Sequence, residues 1–160
     1  MRQDHASAKN HYGRLLIMTV LSFISMYILM FAMADRLVNV YPSFNQFYMA
    51  GLMTAPMIVI EIGLMTAMYE NTRWNAIILA AAGIAAVLFF AAIRQQAAIG
   101  DTQFLKSMIP HHAGAILMCN EASISDPEIG ELCNGIVSGQ QSEIDKMKAI
   151  LARLEQRQAP

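Results

Sequence analysis

Residues 15–34 read LLIMTVLSFISMYILMFAMA and carry no charge. A membrane-spanning helix needs about 20 mostly apolar residues, and this run has that length without interruption. Two more runs follow. Phe47–Tyr69 carries one ionisable residue, Glu61, and Trp74–Ile93 carries none and is rich in alanine. Tyr41, Phe44, Phe47, Tyr48, Tyr69 and Trp74 lie near the ends of these runs, where an aromatic belt meets the membrane interface. The pattern predicts a short N-terminal tail (1–14), then a three-span region (15–93) with spans at 15–34, 47–69 and 74–93. The first run ends in Ala32-Met33-Ala34, like a signal-peptidase site. Its apolar stretch exceeds the 7–15 residues of a signal h-region, so it reads as a retained anchor; cleavage would leave two spans.

Composition agrees with a bilayer. The chain is 56% hydrophobic and 14% charged, whereas charged residues approach a quarter of an ordinary soluble domain. A net charge of −1 gives no broad electrostatic case for nucleic acid. Arg2, Lys9, Arg14 and Arg73 fall on one side of the predicted spans, and Arg36, Arg94 and Lys106 on the other. This small bias favours a cytoplasmic N-terminus and puts residues 94–160 outside, in the periplasm of a bacterial inner membrane.

After the spans the helical signal changes character. Gly100-Asp101 reads as a hinge, with Asp101 or Thr102 as N-cap of a helix running to about Ser123. Ser125-Asp126-Pro127-Glu128 reads as a turn and a new start, with Pro127 at the first helical position and Glu128 favourable to the dipole. The last helix is expected to run to about Gln156. The fold expected is therefore all-α: three transmembrane helices, then an antiparallel hairpin that is half a four-helix bundle. Two helices cannot enclose a core, so the hairpin is expected to form a homodimer or to pack on a membrane partner.

The chemistry is concentrated in Met108-Ile109-Pro110-His111-His112, followed by Met118-Cys119. Thioether, thiolate and imidazole donors suit copper(I) better than the metals that take oxygen ligands, with silver or zinc as other soft or borderline candidates. Residues three, four and seven apart share a helical face, so Met108, His111, His112, Met118 and Cys119 read as one broad stripe. Cys133, Gln140, Met147 and Leu154 form a stripe at spacing seven on the last helix. Folding the hairpin about its turn sets Cys119 opposite Cys133, His112 opposite Gln140, and Met108 opposite Ile144, one turn from Met147. The two cysteines are open to three states: an inter-helix disulfide, extra thiolate ligands, or packed thiols. Pro110 removes a backbone donor inside its helix and kinks it.

Nine of the thirteen methionines fall in the first two spans and none in the third. Met49, Met53, Met57, Glu61 and Met65 recur every four residues, and Met26, Met30 and Met33 every four and three. Each row makes one helical face. Methionine is adaptable core filling; the other reading is a thioether surface for copper(I). Glu61 inside the row is a functional candidate because an ionisable residue in a span is costly.

The run Asp101-x-x-Phe104-x-x-x-Met108-Ile109-Pro110-His111-His112-x-Gly114-Ala115-Ile116, with Gln140-x-x-Glu143-Ile144-x-x-Met147 downstream, resembles the family of domain of unknown function 305 over residues 101–154. The resemblance implies a ferritin-like helical fold and, as in some members, periplasmic copper or silver binding. Met108, His111, His112 and Met147 are the ligands it implies, with Glu143 beside them. The three-span extension resembles membrane-anchored members. Met118-Cys119 and Leu132-Cys133 depart from the family pattern, where alanine more often follows the apolar residue.

Other chemistries lack their residues. A di-iron site needs Glu-x-x-His pairs, and Glu143 is followed three later by Lys146. There is no phosphate loop and no nucleophile with a matched base, so the chain is not expected to be an enzyme. A membrane-anchored copper(I)-binding protein is the expected function, with an assembly subunit of a membrane complex as the alternative. Copper affinity is expected to fall with pH through the imidazole range, where protons compete.

Overall fold

A computed structural model describes the backbone of residues 2–158 and the side chains of residues 11–157. Five helices carry the chain: α1 (Arg2–Leu29), α2 (Phe44–Leu64), α3 (Thr72–Arg94), α4 (Asp101–Glu121) and α5 (Pro127–Gln158), with 3-10 turns at Met30–Met33 and Leu37–Asn39. No strand occurs among the described residues, and the all-α expectation holds. Three stretches are long and apolar enough to cross a membrane: His11–Met33, Phe44–Leu64 and Thr72–Arg94. The expected tail is not a separate element, because α1 begins at Arg2 and runs on into the first span. The side chains of Arg2 and Lys9, which entered the charge comparison, lie outside the described residues.

The chain divides into two compact units. One takes the residues up to Leu29 together with Phe47–Ala97; the other takes Met30–Gln46 together with everything from Ala98 onward. In the first unit Leu15, Ile62 and Tyr69 form a buried cluster, with Tyr12, Met18 and Met68 packed against it. This cluster explains why the second span ends earlier than its hydropathy suggests. The apolar run reaches Tyr69, but α2 stops at Leu64. Met65–Tyr69 turns back, so that Tyr69 stacks at 5.4 Å on the Tyr12 ring and donates to Glu61 Oε1 at 3.3 Å. Asn71 then caps α3, its Oδ1 accepting from the Arg73 and Trp74 amides at 3.1 Å, which starts that helix at Thr72 rather than Trp74.

Close packing of α2 and α3 depends on Gly51. A Cβ there would run into the Phe89 ring, which also meets Phe47 edge-on at 6.1 Å. Gly51→Ala should destabilise this unit by about 1–3 kcal/mol, the usual cost of overpacking. Thermal unfolding in micelles reads it out. Phe89→Ala in the same chain should remove most of the added penalty; undiminished cost in the double variant would exclude the ring as its cause.

The second unit is built on the hairpin. Leu105, Ile109, Ala113 and Ile116 on α4 bury against Ile144 and Leu151 on α5, at the three- and four-residue spacing of one helical face. Asp126 caps α5 as expected, its Oδ1 accepting from the Glu128 and Ile129 amides at 2.9 and 3.1 Å. α4 starts differently from the expectation. Gly100, in an extended conformation, is the N-cap and makes no side-chain bond, while Asp101 is the first helical residue. The tight backbone lies just upstream, at Gln96 (φ 50°) and Ala98 (φ 56°), not at Gly100.

The expected boundary at residue 94 also changes, because Met30–Gln46 belongs with the hairpin. Ala34 and Tyr41 pack on the hairpin core. The Phe44 amide donates to Gln103 Oε1 at 3.0 Å, and Asn45 Nδ2 donates to Ser107 Oγ at 3.3 Å. A Cβ at Gly114 would stand 3.3 Å from the Met33 carbonyl oxygen. This segment covers the back of α4, the side turned away from α5.

Candidate metal centre

The hairpin register follows from its covalent link. Cys119 and Cys133 form a disulfide with a Cα–Cα distance of 5.3 Å, so the facing pair read from the sequence is real. Of the three states left open by the sequence, the structure shows the inter-helix disulfide. A further two turns from the hairpin bend, His112 Nδ1 lies 3.0 Å from Glu143 Oε2. In the register set by the disulfide, Met108 lies opposite Ile144, one turn from Met147. Met108 and Met147 are half-buried, and Met147 packs on the hairpin core.

Electrostatics mark this level of the hairpin. The His112 side chain is 14% exposed, and Glu143 is 59% exposed. Their contact is short enough for an ion pair but lacks hydrogen-bond geometry, so His112 Nδ1 is a buried nitrogen without a hydrogen-bond partner. Gln140 Oε1, on the next turn of α5, is likewise buried and unpartnered. A buried polar atom left unpaired costs about 1–3 kcal/mol. The two atoms belong to the facing helices α4 and α5. An imidazole nitrogen with thioethers at Met108 and Met147 fits a soft monovalent ion; the same nitrogen with Glu143 and Gln140 oxygens fits a borderline divalent one.

The broad stripe read from the sequence divides in the structure. His112 and Cys119 stay on the flank near α5, where they meet Glu143 and Cys133, and Met108 is half-buried one turn before His112. His111 and Met118 are exposed on a separate face. The two imidazoles are 6.1 Å apart between ring centroids and tilted by 58°, as adjacent helical residues must diverge. Among the described residues, no three His, Cys, Asp or Glu side chains converge. The Lys106–Glu155 ion pair, at 3.0 Å, ties the other end of the hairpin and had no signal in the sequence.

The methionine row of the second span is also divided. Met53 and Met57 lie on α2, but Met65 lies beyond its last residue. Glu61 is in the last turn of that helix and accepts from Tyr69, so it sits at a span end rather than mid-membrane. The burial of Tyr69, and then the adjacent Glu61 carboxylate, push the phenol above its ordinary value. Tyr69→Phe should cost about 1 kcal/mol, the net value of one such hydrogen bond, measurable as a lower unfolding midpoint in micelles. An unchanged midpoint would show the bond to be dispensable.

The profile of the family described as "Domain of unknown function (DUF305)" matches residues 79–157. The chain belongs to the DUF305 family. The DUF305 match takes in the later part of α3 as well as both hairpin helices, and is wider than the motif-bearing residues 101–154. An uncharacterized protein of Acanthamoeba polyphaga mimivirus is 37% identical over 140 residues, covering 86% of this chain and 90% of the viral one. That similarity extends through the spans as well as the hairpin. No solved structure matches the chain significantly.

Proposed function

We propose that this DUF305 chain is a membrane-anchored copper(I)-binding protein that sequesters or relays the ion on the extracytoplasmic side of a bacterial inner membrane, with silver as a ready substitute. The observation that carries the reading is His112 Nδ1, buried, unpartnered and level with Glu143. Met108 and Met147 supply thioethers, each one turn along its helix from this pair. When bound, copper(I) would be held by His112 and these two sulfurs; Glu143 would orient the ring or balance the charge. The disulfide supports an oxidising compartment, which agrees with a hairpin held outside the cytoplasm. The role is binding rather than catalysis.

The test is a copper(I) competition titration on the full chain in nanodiscs, beside the His111→Ala/His112→Ala variant. The expected result is tight binding by the native chain and a loss of at least about 100-fold in the variant, the scale of losing a ligand together with its shell. Equal affinity in the two sinks the assignment. A second reading, an assembly subunit of a membrane complex, is favoured by the bare apolar face of α4. It predicts a stoichiometric protein partner on purification and no dependence on metal.

A further inference from the structure

The turn between α1 and α2 is packed inside out. Its apolar residues face outward: Leu37 is 90% exposed and Val38 63%. Its polar residues face inward: the Asp35 side chain is 8% exposed, and Asn39 is 3% exposed. Both belong to the unit that holds the hairpin, in the segment whose Ala34 and Tyr41 pack on the hairpin core. Buried polar residues are the informative exception in a folded chain, and copper(I) binding at His112 calls on neither of these.

The bonding of the pair is unbalanced. Asn39 Nδ2 donates to Asp35 Oδ1. Arg36 Nε stands 3.6 Å from Asp35 Oδ2, but the Arg36 side chain is 73% exposed, so solvent screens that charge. Asn39 Oδ1 is buried and has no hydrogen-bond partner among the described residues. The two side chains therefore present three oxygen acceptors, and a buried one of them has no donor. Turning the amide over does not help, because Oδ1 would then face the carboxylate, acceptor against acceptor. A buried carboxylate is costly unless it is paired or bound to a metal. A cation relieves the negative charge and the surplus of buried oxygens together; a hydrogen-bond donor relieves only the second.

We propose that Asp35 and Asn39 seat a divalent cation of the calcium class. Such ions take carboxylate and amide oxygens, with backbone carbonyls and water filling the remaining places. The pair offers no sulfur or imidazole, so it does not compete for copper(I). With a single carboxylate the seat is weak, in the range of about 10⁻⁴–10⁻³ M found for calcium sites of extracellular modules. The bound ion ties Asp35 to the last residue of the Leu37–Asn39 turn and stiffens the cover on the back of α4. The proposal is independent of the copper reading above.

The test is thermal unfolding of the full chain in neutral-detergent micelles, with chelator and then with calcium chloride, beside a calorimetric titration of calcium. At about 10 mM calcium the midpoint should rise by about 3–6 °C, the mass-action gain of a millimolar site in a chain of this size. Asp35→Asn keeps the shape and should abolish both the rise and the binding heat, with helicity by circular dichroism unchanged. Asn39→Asp should melt below the native chain in chelator, where two carboxylates face each other. It should bind calcium about tenfold more tightly, as added ligand charge does. An amide with a purely structural role predicts instead lower stability with and without calcium. Glu143→Gln should keep the full rise, which separates this seat from the metal centre. No rise and no heat in the native chain overturns the proposal. So does a rise that sodium chloride at equal ionic strength reproduces, or one that persists in Asp35→Asn. Should Asp35→Asn fail to fold, Asn39→Asp decides: tighter calcium binding supports the seat, and unchanged or weaker binding overturns it.

Discussion

Replacing His112 by alanine should weaken copper(I) binding by about 100-fold or more, equivalent to roughly 2.8 kcal/mol at 1.4 kcal/mol per decade. It is the one imidazole on the hairpin flank with a buried, unpartnered nitrogen. Nearby substitutions should follow a graded order. Glu143→Gln keeps the shape but removes the charge 3.0 Å from the ring, and a supporting group of this kind is worth about 10–100-fold. Met147→Leu removes a thioether without opening a cavity, so its effect belongs to the ligand rather than to the fold. Met118→Leu should leave affinity within about twofold, because Met118 lies on an exposed face of α4, away from His112, and leucine is close to it in volume. The same competition titration measures all four. If Met118→Leu weakened binding as much as His112→Ala, the division of the stripe into two faces would be wrong.

That division is the point at which reading the sequence reached its limit. A helix places residues three, four and seven apart near one another, so Met108, His111, His112, Met118 and Cys119 all fitted one wide arc. Whether such an arc is one face or two depends on where α5 lies, and that is settled by Ile109, Ile144 and their neighbours burying together. The hairpin itself was legible, because Asp126-Pro127-Glu128 is a capped start with local causes and the cysteine pair fixes a register that sequence spacing can state. The three apolar spans were legible from length alone. The end of the second was not, since Met65–Tyr69 is as apolar as what precedes it and leaves the helix only because Tyr69 has Tyr12 and Glu61 to return to. The contribution of Met30–Gln46 was hidden for a similar reason: Ala34, Tyr41 and the close approach at Gly114 are tertiary contacts, with no periodicity to announce them. Glu61 shows the same dependence, because its meaning changed once it was placed in the last turn of α2 rather than at the membrane centre.

Breaking the Cys119–Cys133 bond, by reduction or by Cys119→Ser/Cys133→Ser, should cost the hairpin about 3 kcal/mol. The estimate follows from the chain entropy released when a loop of about 15 residues is no longer closed in the unfolded state; the two cysteines are 14 apart. α4 and α5 are held at the opposite end by Lys106–Glu155, a partly exposed pair that contributes little, so the bend end depends on the disulfide and on Ile116 beneath it. Native-state hydrogen exchange should therefore show amide protection in both hairpin helices falling by roughly 100-fold on reduction, with α2 and α3 unchanged. Copper(I) affinity should hardly move in the oxidised and serine forms, because Cys119 is seven residues from His112, about 10 Å along the helix at 1.5 Å per residue. These two readouts separate the roles a cysteine pair can play. A purely mechanical staple changes exchange and leaves affinity alone. A reduced chain that bound copper(I) far more tightly than the serine variant would instead make the thiolates ligands in their own right, and the hairpin a site that is assembled when the bond opens.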